Sequence, residues 1–528
     1  MTQLRFNGVV GSRGLLAGPL AVLRDTAAQA RDAGTPEQEA AVLKAAIESS
    51  VESLSLLIAE SEGAAAEILA FQVAMLEDGE LSAEAFAAIA GGTAADAAWR
   101  AALAAQIEVF ASADDDYFRA RSTDLTDLRD RVLRALCGSE EGDVGLPPGA
   151  VALADDLTPS RFLAQEWAGR GIALRAGSAS SHVAMLARAY SVPMVLNLRD
   201  VPEAEGTLAL LDAEEGAVTL DPAAGEQAAF AARCSALEAS KIRQAAFLTA
   251  PAATAGGAPV GIFLNVTLPE DLEGLDPAIC DGIGLVRTEF LFHGHEGLPD
   301  EQTQVNAYEK ILRWAQGRPV IVRTLDAGGD KPIPGLTREE ENPFLGLRGL
   351  RLCLARPEVF KVQLRALLRA APAGTLRIML PMVALPEELE EARALLIEAA
   401  TEVGFVGDLP PLGIMVEIPA AALTLDRFAI DFASIGSNDL VQFTLAAARG
   451  GNGLERLQRA DYPAVLRLIA ESVERAARRG IEIGLCGDAG GDPALIPALL
   501  ATGLRRFSMA PSAVGAAKEA IARSADHG

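Results

Sequence analysis

The 528-residue chain is short of the groups that usually mark a disulfide scaffold, a zinc site or a membrane span. Its five cysteines, Cys137, Cys234, Cys280, Cys353 and Cys486, are scattered and never stand in C-x-x-C spacing. Structural zinc and a disulfide framework are therefore disfavoured, and a reducing cytoplasm is the simplest home. Basic residues are scarce, with 46 Lys and Arg against 72 Asp and Glu and a formal charge of −26. A surface that acidic repels phosphate backbones and anionic lipid, so neither nucleic acid nor a membrane is expected as a partner. It fits a basic protein partner, or simply a very soluble enzyme. Charges interrupt every apolar stretch well short of the ~18 residues that a spanning helix needs. The start, MTQLRFNGVV, lacks the pattern of an export signal. Histidine is rarest, at four residues, so each can be weighed singly. What the chain does have is 50% hydrophobic residues, enough for well-filled cores in two to four domains.

The texture changes four times along the chain. Phe6–Val10 and Leu20–Leu23 read as short strands around Gly11-Ser12-Arg13-Gly14. From Thr35 the pattern is helical: Thr35-Pro36-Glu37-Gln38 supplies an N-cap, a proline at the first helical position and a capping-box glutamine. Leu43, Ile47, Val51, Leu54 and Ile58 then form one amphipathic stripe. Similar stripes around 68–76, 93–110 and 123–136 make residues 25–138 a module of four or more antiparallel helices. Apolar runs at 150–154, 172–176, 194–198 and 208–211, with one short helix from His182, make a small α/β domain that 212–216 closes as a hairpin. Residues 1–24 are expected to join 139–222 in this domain, with the helical module inserted. Residues 223–256 read as a helical linker ending in small residues. Beyond it, from 257 to 528, eight apolar runs alternate with helical segments: 261–266, 282–286, 320–324, 377–382, 412–417, 432–436, 481–485 and 507–509. That is the count and size of a (β/α)8 TIM barrel. The whole is a multidomain α/β chain.

In such a barrel the C-terminal ends of the strands carry the chemistry. Those ends hold Arg287, Arg323, Glu417, Asn438, Asp439 and Cys486, with Arg449 in the loop after the sixth strand. Any one of them alone is better read as a solvated or salt-bridged loop residue; coincidence at five strand ends reverses that. Guanidinium forks favour phosphate or carboxylate, and two carboxylates without a nearby histidine suit magnesium or manganese rather than zinc. Arginines around a carboxylate-held Mg2+ are suited to phosphoryl transfer. Cys486 near its ordinary pKa stays protonated and could donate a proton, although a buried small apolar role is the commoner fate of a free cysteine.

For an acceptor, His527 lies in the tail, and His293 and His295 flank a glycine in what reads as a solvated loop. His182 is different. It follows the small-residue run Gly177-Ser178-Ala179-Ser180-Ser181 at the start of a helix, where unpaired N–H groups and the helix dipole welcome an anion. A histidine there is expected to be largely neutral, hence nucleophilic.

These residues fall in strings that resemble a known family. GSASSHVAMLAR at 177–188 looks like the phosphohistidine motif of the phosphoenolpyruvate-utilising enzymes. ADDLTPS (154–160), DGIGLVRTEFLF (281–292), VRTLDAGGDK (322–331), EENPFLGLRGLR (340–351), GIMVEIPAA (413–421), IGSNDLVQFTLA (435–446) and LCGDAGGD (485–492) are similar to the enzyme I group, the phosphoenolpyruvate–protein phosphotransferases of bacterial sugar uptake. In the helical module, AMLEDGEL (74–81) and DDDYFRARSTDLTDLRDRVLR (114–134) share the likeness. The resemblance implies that 1–24 with 139–222 is a swivelling phosphohistidine domain. It implies further that 25–138 docks the small carrier protein HPr, and that 257–528 binds phosphoenolpyruvate with Mg2+ (or Mn2+) and forms a homodimer. His182 would be the phosphorylated nucleophile, with Thr158 hydrogen-bonded to it. Arg287, Arg323 and Arg449 would clamp the substrate, with Arg348 a further anion contact. Glu417 and Asp439 would hold the metal, Asn438 would touch the substrate, and Cys486 would protonate the departing enolpyruvate. The competing readings are a dikinase, which needs a Gly-rich ATP segment that the chain lacks, a non-catalytic regulatory paralogue, and an enzyme I serving a branch other than sugar uptake.

Overall fold

The computed structural model describes residues 4–23, 34–59, 64–111, 116–138, 145–179, 181–292, 298–329, 331–338, 340–448 and 454–526. The chain forms two compact units, Met1–Ala239 and Ser240–Gly528.

In the first unit, strands β1 (Leu4–Asn7), β2 (Val9–Ser12), β3 (Leu15–Val22), β4 (Val151–Ala154), β5 (Gly171–Leu174), β6 (Met194–Leu196), β7 (Leu208–Asp212) and β8 (Ala217–Leu220) make one sheet. Its spatial order is β1-β8-β7-β3-β4-β5-β6-β2. The centre, β3 to β6, is parallel and both flanks are antiparallel. The expected strand over 6–10 is instead broken at Gly8. A side chain there would strike Leu196 O at 2.2 Å, and at that residue the chain passes from β1 at one end of the strand order to β2 at the other. The hairpin expected at 212–216 joins β7 to β8.

Between β3 and β4 run α1 (Pro36–Ala59), α2 (Ala64–Glu77), α3 (Gly79–Ala90), α4 (Ala95–Ala111) and α5 (Asp116–Leu136). The α1 start is a reciprocal capping box: Thr35 N donates to Gln38 Oε1 at 3.0 Å, and Gln38 N to Thr35 Oγ1 at 3.4 Å. Leu43 and Leu54 of the expected stripe are wholly buried, and Ile47, Val51 and Ile58 pack beside them around Trp99. Two short helices follow in the α/β portion, α6 (Pro159–Leu163) and α7 (His182–Ala189), and then the long α8 (Ala224–Phe247), within which the boundary between the units falls.

The second unit is a closed barrel of eight parallel strands, β9 (Gly261–Val266), β10 (Gly282–Val286), β11 (Pro319–Arg323), β12 (Thr375–Leu380), β13 (Leu412–Val416), β14 (Phe432–Ile435), β15 (Glu482–Leu485) and β16 (Arg506–Met509). Each lies within two residues of its expected run. Strands buried on both faces read as continuous apolar stretches, as the fully buried GIGLV and LGIMV show. Among the outer helices, α9 (Glu301–Trp314) links β10 to β11, and α10 (Leu350–Ala355) and α11 (Pro357–Ala370) lie between β11 and β12 in the chain, with α11 packed on α9. No helix among the described residues is long and apolar enough to cross a membrane.

At Gly18 the backbone of β3 approaches the turn before β4 so closely that a Cβ would sit 1.7 Å from Gly149 O. Gly18→Ala is expected to destabilise the first unit by about 3 kcal/mol or more. Calorimetry of the full chain should show the corresponding transition shifted down while the barrel transition is unmoved.

Candidate active site

The first group of candidate residues, in the first unit, lies where β5 leads through a small-residue stretch into α7. Ser181 caps the helix, its hydroxyl accepting from Ala184 N. Arg188 reaches back to the carbonyls of Gly11 and Ala179 at 2.8 and 2.9 Å, bracing the loop. His182 is therefore the first helical residue, with its side chain 29% exposed.

Its Nδ1 lies 3.2 Å from Oδ1 of Asp124, a buried carboxylate on α5. An N–H donated from Nδ1 to a carboxylate leaves the ring's lone pair on Nε2. One turn further along α5, Asp127 accepts from Ser160 Oγ at 2.5 Å, Ser160 N at 3.1 Å and Gln72 Nε2 at 3.0 Å. The inserted helix thus grips both α7 and α6. This corrects one expectation. Thr158, taken as the hydrogen-bond partner of His182, is the N-cap of α6, and its hydroxyl is buried without a partner. Asp124 Oδ1 faces Nδ1 instead.

The second group of residues lies at the barrel mouth. Arg287 follows β10, Arg323 ends β11, Glu417 follows β13, Cys486 follows β15, and Asn438 and Asp439 open the helix Ser437–Leu445 after β14. Arg323 is buried, with Nη2 on Glu289 Oε1 at 2.9 Å and Nη1 3.1 Å from Asp326 Oδ2. Arg348 is fully buried. Its Nε and Nη2 bond both oxygens of Asp326 at 3.1 Å, and its Nη1 and Nη2 bond both oxygens of Asp439 at 3.2 and 3.1 Å. Four of its five N–H groups are so committed, leaving one for an anion. Lys331 adds a third cation, 3.2 Å from Asp326.

Glu417 is the uncompensated member of the cluster. Burial first, then the charges of Asp439 and Asp326, push its pKa up to about 8, against the pull of Arg323. One of its oxygens accepts from Met382 N at 2.6 Å. Two hard carboxylates repelling each other in a buried mouth fit a magnesium-like dication, which would offset that repulsion. No cluster of three His, Cys, Asp or Glu suited to a metal occurs among the described residues; further oxygen ligands would have to come from a substrate or water.

Arg323 Nε, Thr324 Oγ1 and Ser437 Oγ are buried at this mouth without partners, and buried donors of that kind call for an acceptor. Arg287 and Asn438 meet at Asp488. Arg287 Nη2 is 3.6 Å from Oδ1, and Asn438 exchanges two hydrogen bonds with the same residue at 2.9 and 3.1 Å. Cys486 packs against Leu285, Met379, Met415 and Phe432, and burial raises its thiol to about 11. It is a thiol, not a thiolate, at neutral pH. Arg449, His293, His295 and His527 lie outside the described residues.

Sequence reasoning missed Asp124, Asp127, Glu289, Asp326 and Lys331. Glu289, Asp326 and Lys331 sit inside strings already singled out, two or three residues from an arginine or at the end of VRTLDAGGDK. The two aspartates stand one helical turn apart in the 114–134 stretch, a spacing that places both on one face.

Two outcomes are expected. Arg348→Met, which leaves Asp326 and Asp439 buried without their shared cation, should lower barrel stability by about 3–5 kcal/mol in denaturant unfolding. In the folded chain, iodoacetamide at pH 7.5 should label the partly exposed Cys137 and Cys234 well before Cys486, as read by peptide mass spectrometry, with Cys486 catching up only on unfolding.

Three family models match, one after another, along the chain. They are the PEP-utilising enzyme N-terminal domain over residues 7–121, the mobile domain over 146–216 and the PEP-binding domain over 241–526. The phosphoenolpyruvate-protein phosphotransferase of Bacillus sp. (strain S) is 40% identical over 420 residues, 77% of this chain and 72% of that protein. Those of Staphylococcus epidermidis and Bacillus subtilis (strain 168) are 38% and 37% identical, over 79% of this chain and 74% and 75% of theirs. The histidine at the α7 tip lies within the stretch matching the mobile domain, and the arginine–carboxylate mouth within the stretch matching the PEP-binding domain. The chain belongs to the PEP-utilising enzyme family.

Proposed function

We propose that this chain is a phosphoenolpyruvate–protein phosphotransferase that carries the phosphoryl group on His182 and passes it to a histidine of an HPr-like carrier. The observation that carries the reading is the barrel mouth. There, buried arginines with an unsatisfied Nε–H and two repelling carboxylates are arranged for a polyanion and a dication together.

Arg287 and Arg323 bind the substrate's anionic groups, with Arg449 as the third clamp of the family motif. Arg348 keeps Asp439 aimed while offering its remaining N–H. Asn438 orients the substrate from the sixth strand end. Glu417 and Asp439 are the pair that would hold Mg2+, which when bound spreads the negative charge of the phosphoryl oxygens. The Nε2 lone pair of His182 attacks phosphorus, and the bond from phosphorus to the enol oxygen breaks. The resulting enolate takes a proton at carbon from the Cys486 thiol, giving pyruvate and a thiolate. A thiol held at about 11 suits that role, since it arrives loaded with its proton at every physiological pH. For the reaction to occur, the imidazole must visit the mouth. Transfer onward to the carrier, docking of that carrier on the helical bundle, and homodimer assembly through the barrel belong to the same reading.

Incubation with labelled phosphoenolpyruvate and Mg2+ tests it. Label that is acid-labile, base-stable, absent in His182→Ala and stripped by EDTA pre-treatment is expected. Cys486→Ala should slow labelling by about 10²–10⁴-fold, the usual worth of a positioned proton donor. A native chain that takes no label would overturn the reading, and a label that requires ATP would point to dikinase chemistry.

A further inference from the structure

Behind Arg323, on the outer side of the barrel wall, is a run of buried polar side chains that the proposed chemistry does not use. Gln363 of α11, Thr288, Tyr308 and Gln304 are each 1% exposed or less. Burial of four such groups in an apolar layer is costly unless every one is satisfied.

They are satisfied in only one arrangement. Gln363 Oε1 accepts from Leu325 N at 2.9 Å, and its Nε2 donates to Thr288 Oγ1 at 3.2 Å and to Tyr308 Oη at 3.1 Å. Flipping the amide would set its N–H groups against the Leu325 N–H, so the orientation is determined. Thr288 in turn donates to the Arg323 carbonyl at 3.0 Å, and Tyr308 donates to Gln304 Oε1 at 3.2 Å.

The consequence is geometric. Thr288 lies between Arg287 and Glu289, and Glu289 is the residue that grips the Arg323 guanidinium. Leu325 lies between Arg323 and Asp326. One amide on an outer helix therefore ties together the segments after β10 and β11 that carry both arginines. We infer that Gln363 is a positioning residue for Arg287 and Arg323, acting through Thr288 and Leu325 without touching the substrate. This rests on the reading of Arg323 as a phosphoenolpyruvate ligand.

Single-turnover labelling of His182 in the full chain with Mg2+, over a range of phosphoenolpyruvate concentrations, separates a binding constant from a maximal rate. Gln363→Met, apolar and similar in volume, is expected to lower the ratio of rate to half-saturation by roughly ten- to a hundredfold, mainly by raising half-saturation. Displacement of a reacting group by about an ångström has an effect of that size. Thr288→Val, which removes both the link to the Arg323 carbonyl and the acceptor for Gln363 Nε2, should reproduce much of the loss, and the double variant should lose little more than Gln363→Met alone. Leu367→Ala, a cavity at a buried side chain of the same helix that makes no hydrogen bond, should lower the melting temperature while leaving the labelling constants unchanged.

If Gln363→Met stays within twofold of the unaltered chain, or if Leu367→Ala loses as much at matched stability, the positioning role is overturned. Should Gln363→Met not fold, Thr288→Val decides by the same twofold criterion. Arg323→Lys separates the two layers. If it leaves half-saturation unchanged, the ligand reading itself fails and this inference goes with it. If it weakens binding while Gln363→Met does not, only this inference falls.

Discussion

The barrel mouth depends on one buried guanidinium. Arg348 comes from a loop between β11 and β12, yet both of its forks are spent on carboxylates from elsewhere, Asp326 just after β11 and Asp439 after β14. Remove it and two buried negative charges lose a counterion that they share; keep it and two loops on different sides of the rim are held at fixed spacing. Arg323, Lys331 and Glu289 extend the same lattice. Such a lattice contributes less through net stability than through geometry, since burying charges offsets much of their attraction. Its effect is to leave Glu417, among the described carboxyls of the cluster, opposed by burial and like charge more than Arg323 offsets.

That imbalance explains why the site is poised. Three cations and three paired carboxylates leave Glu417 better off neutral, which is the direction of its shift. A dication held beside Glu417 would favour its ionised form, offsetting the repulsion from Asp439 and Asp326 that now opposes it.

Much of this was legible in the sequence, for a physical reason. Parallel strands wrapped by helices are largely apolar, so the barrel strands show as apolar runs, unbroken in β10 and β13, and the first polar residue after such a run marks the mouth. Arg323, Glu417 and Cys486 were found that way. The helical loop tip with His182 was legible from small residues followed by an amphipathic turn. What escaped was non-local. Asp124 is 58 residues from His182, and nothing in its own neighbourhood says which imidazole it will face. The partners of Arg348 come from 22 positions before it and 91 after. The break at Gly8 escaped too, because it is dictated by Leu196 O crossing close by, not by the residues on either side. In the bundle, α3 is nearly half alanine and gives too faint a stripe to stand out alone.

The insertion of the bundle between β3 and β4 has an evolutionary corollary. Its last helix furnishes the acceptor for the His182 ring and the clamp on the first turn of α6. The five helices are thus not a detachable adaptor fused to a self-sufficient catalytic core. A lineage could let residues on the bundle's outward faces drift, but it could not swap the bundle wholesale for an unrelated one without rebuilding the imidazole's surroundings. On the proposed reading, recognition of the recipient and tuning of the donor are thereby bound to a single inherited piece.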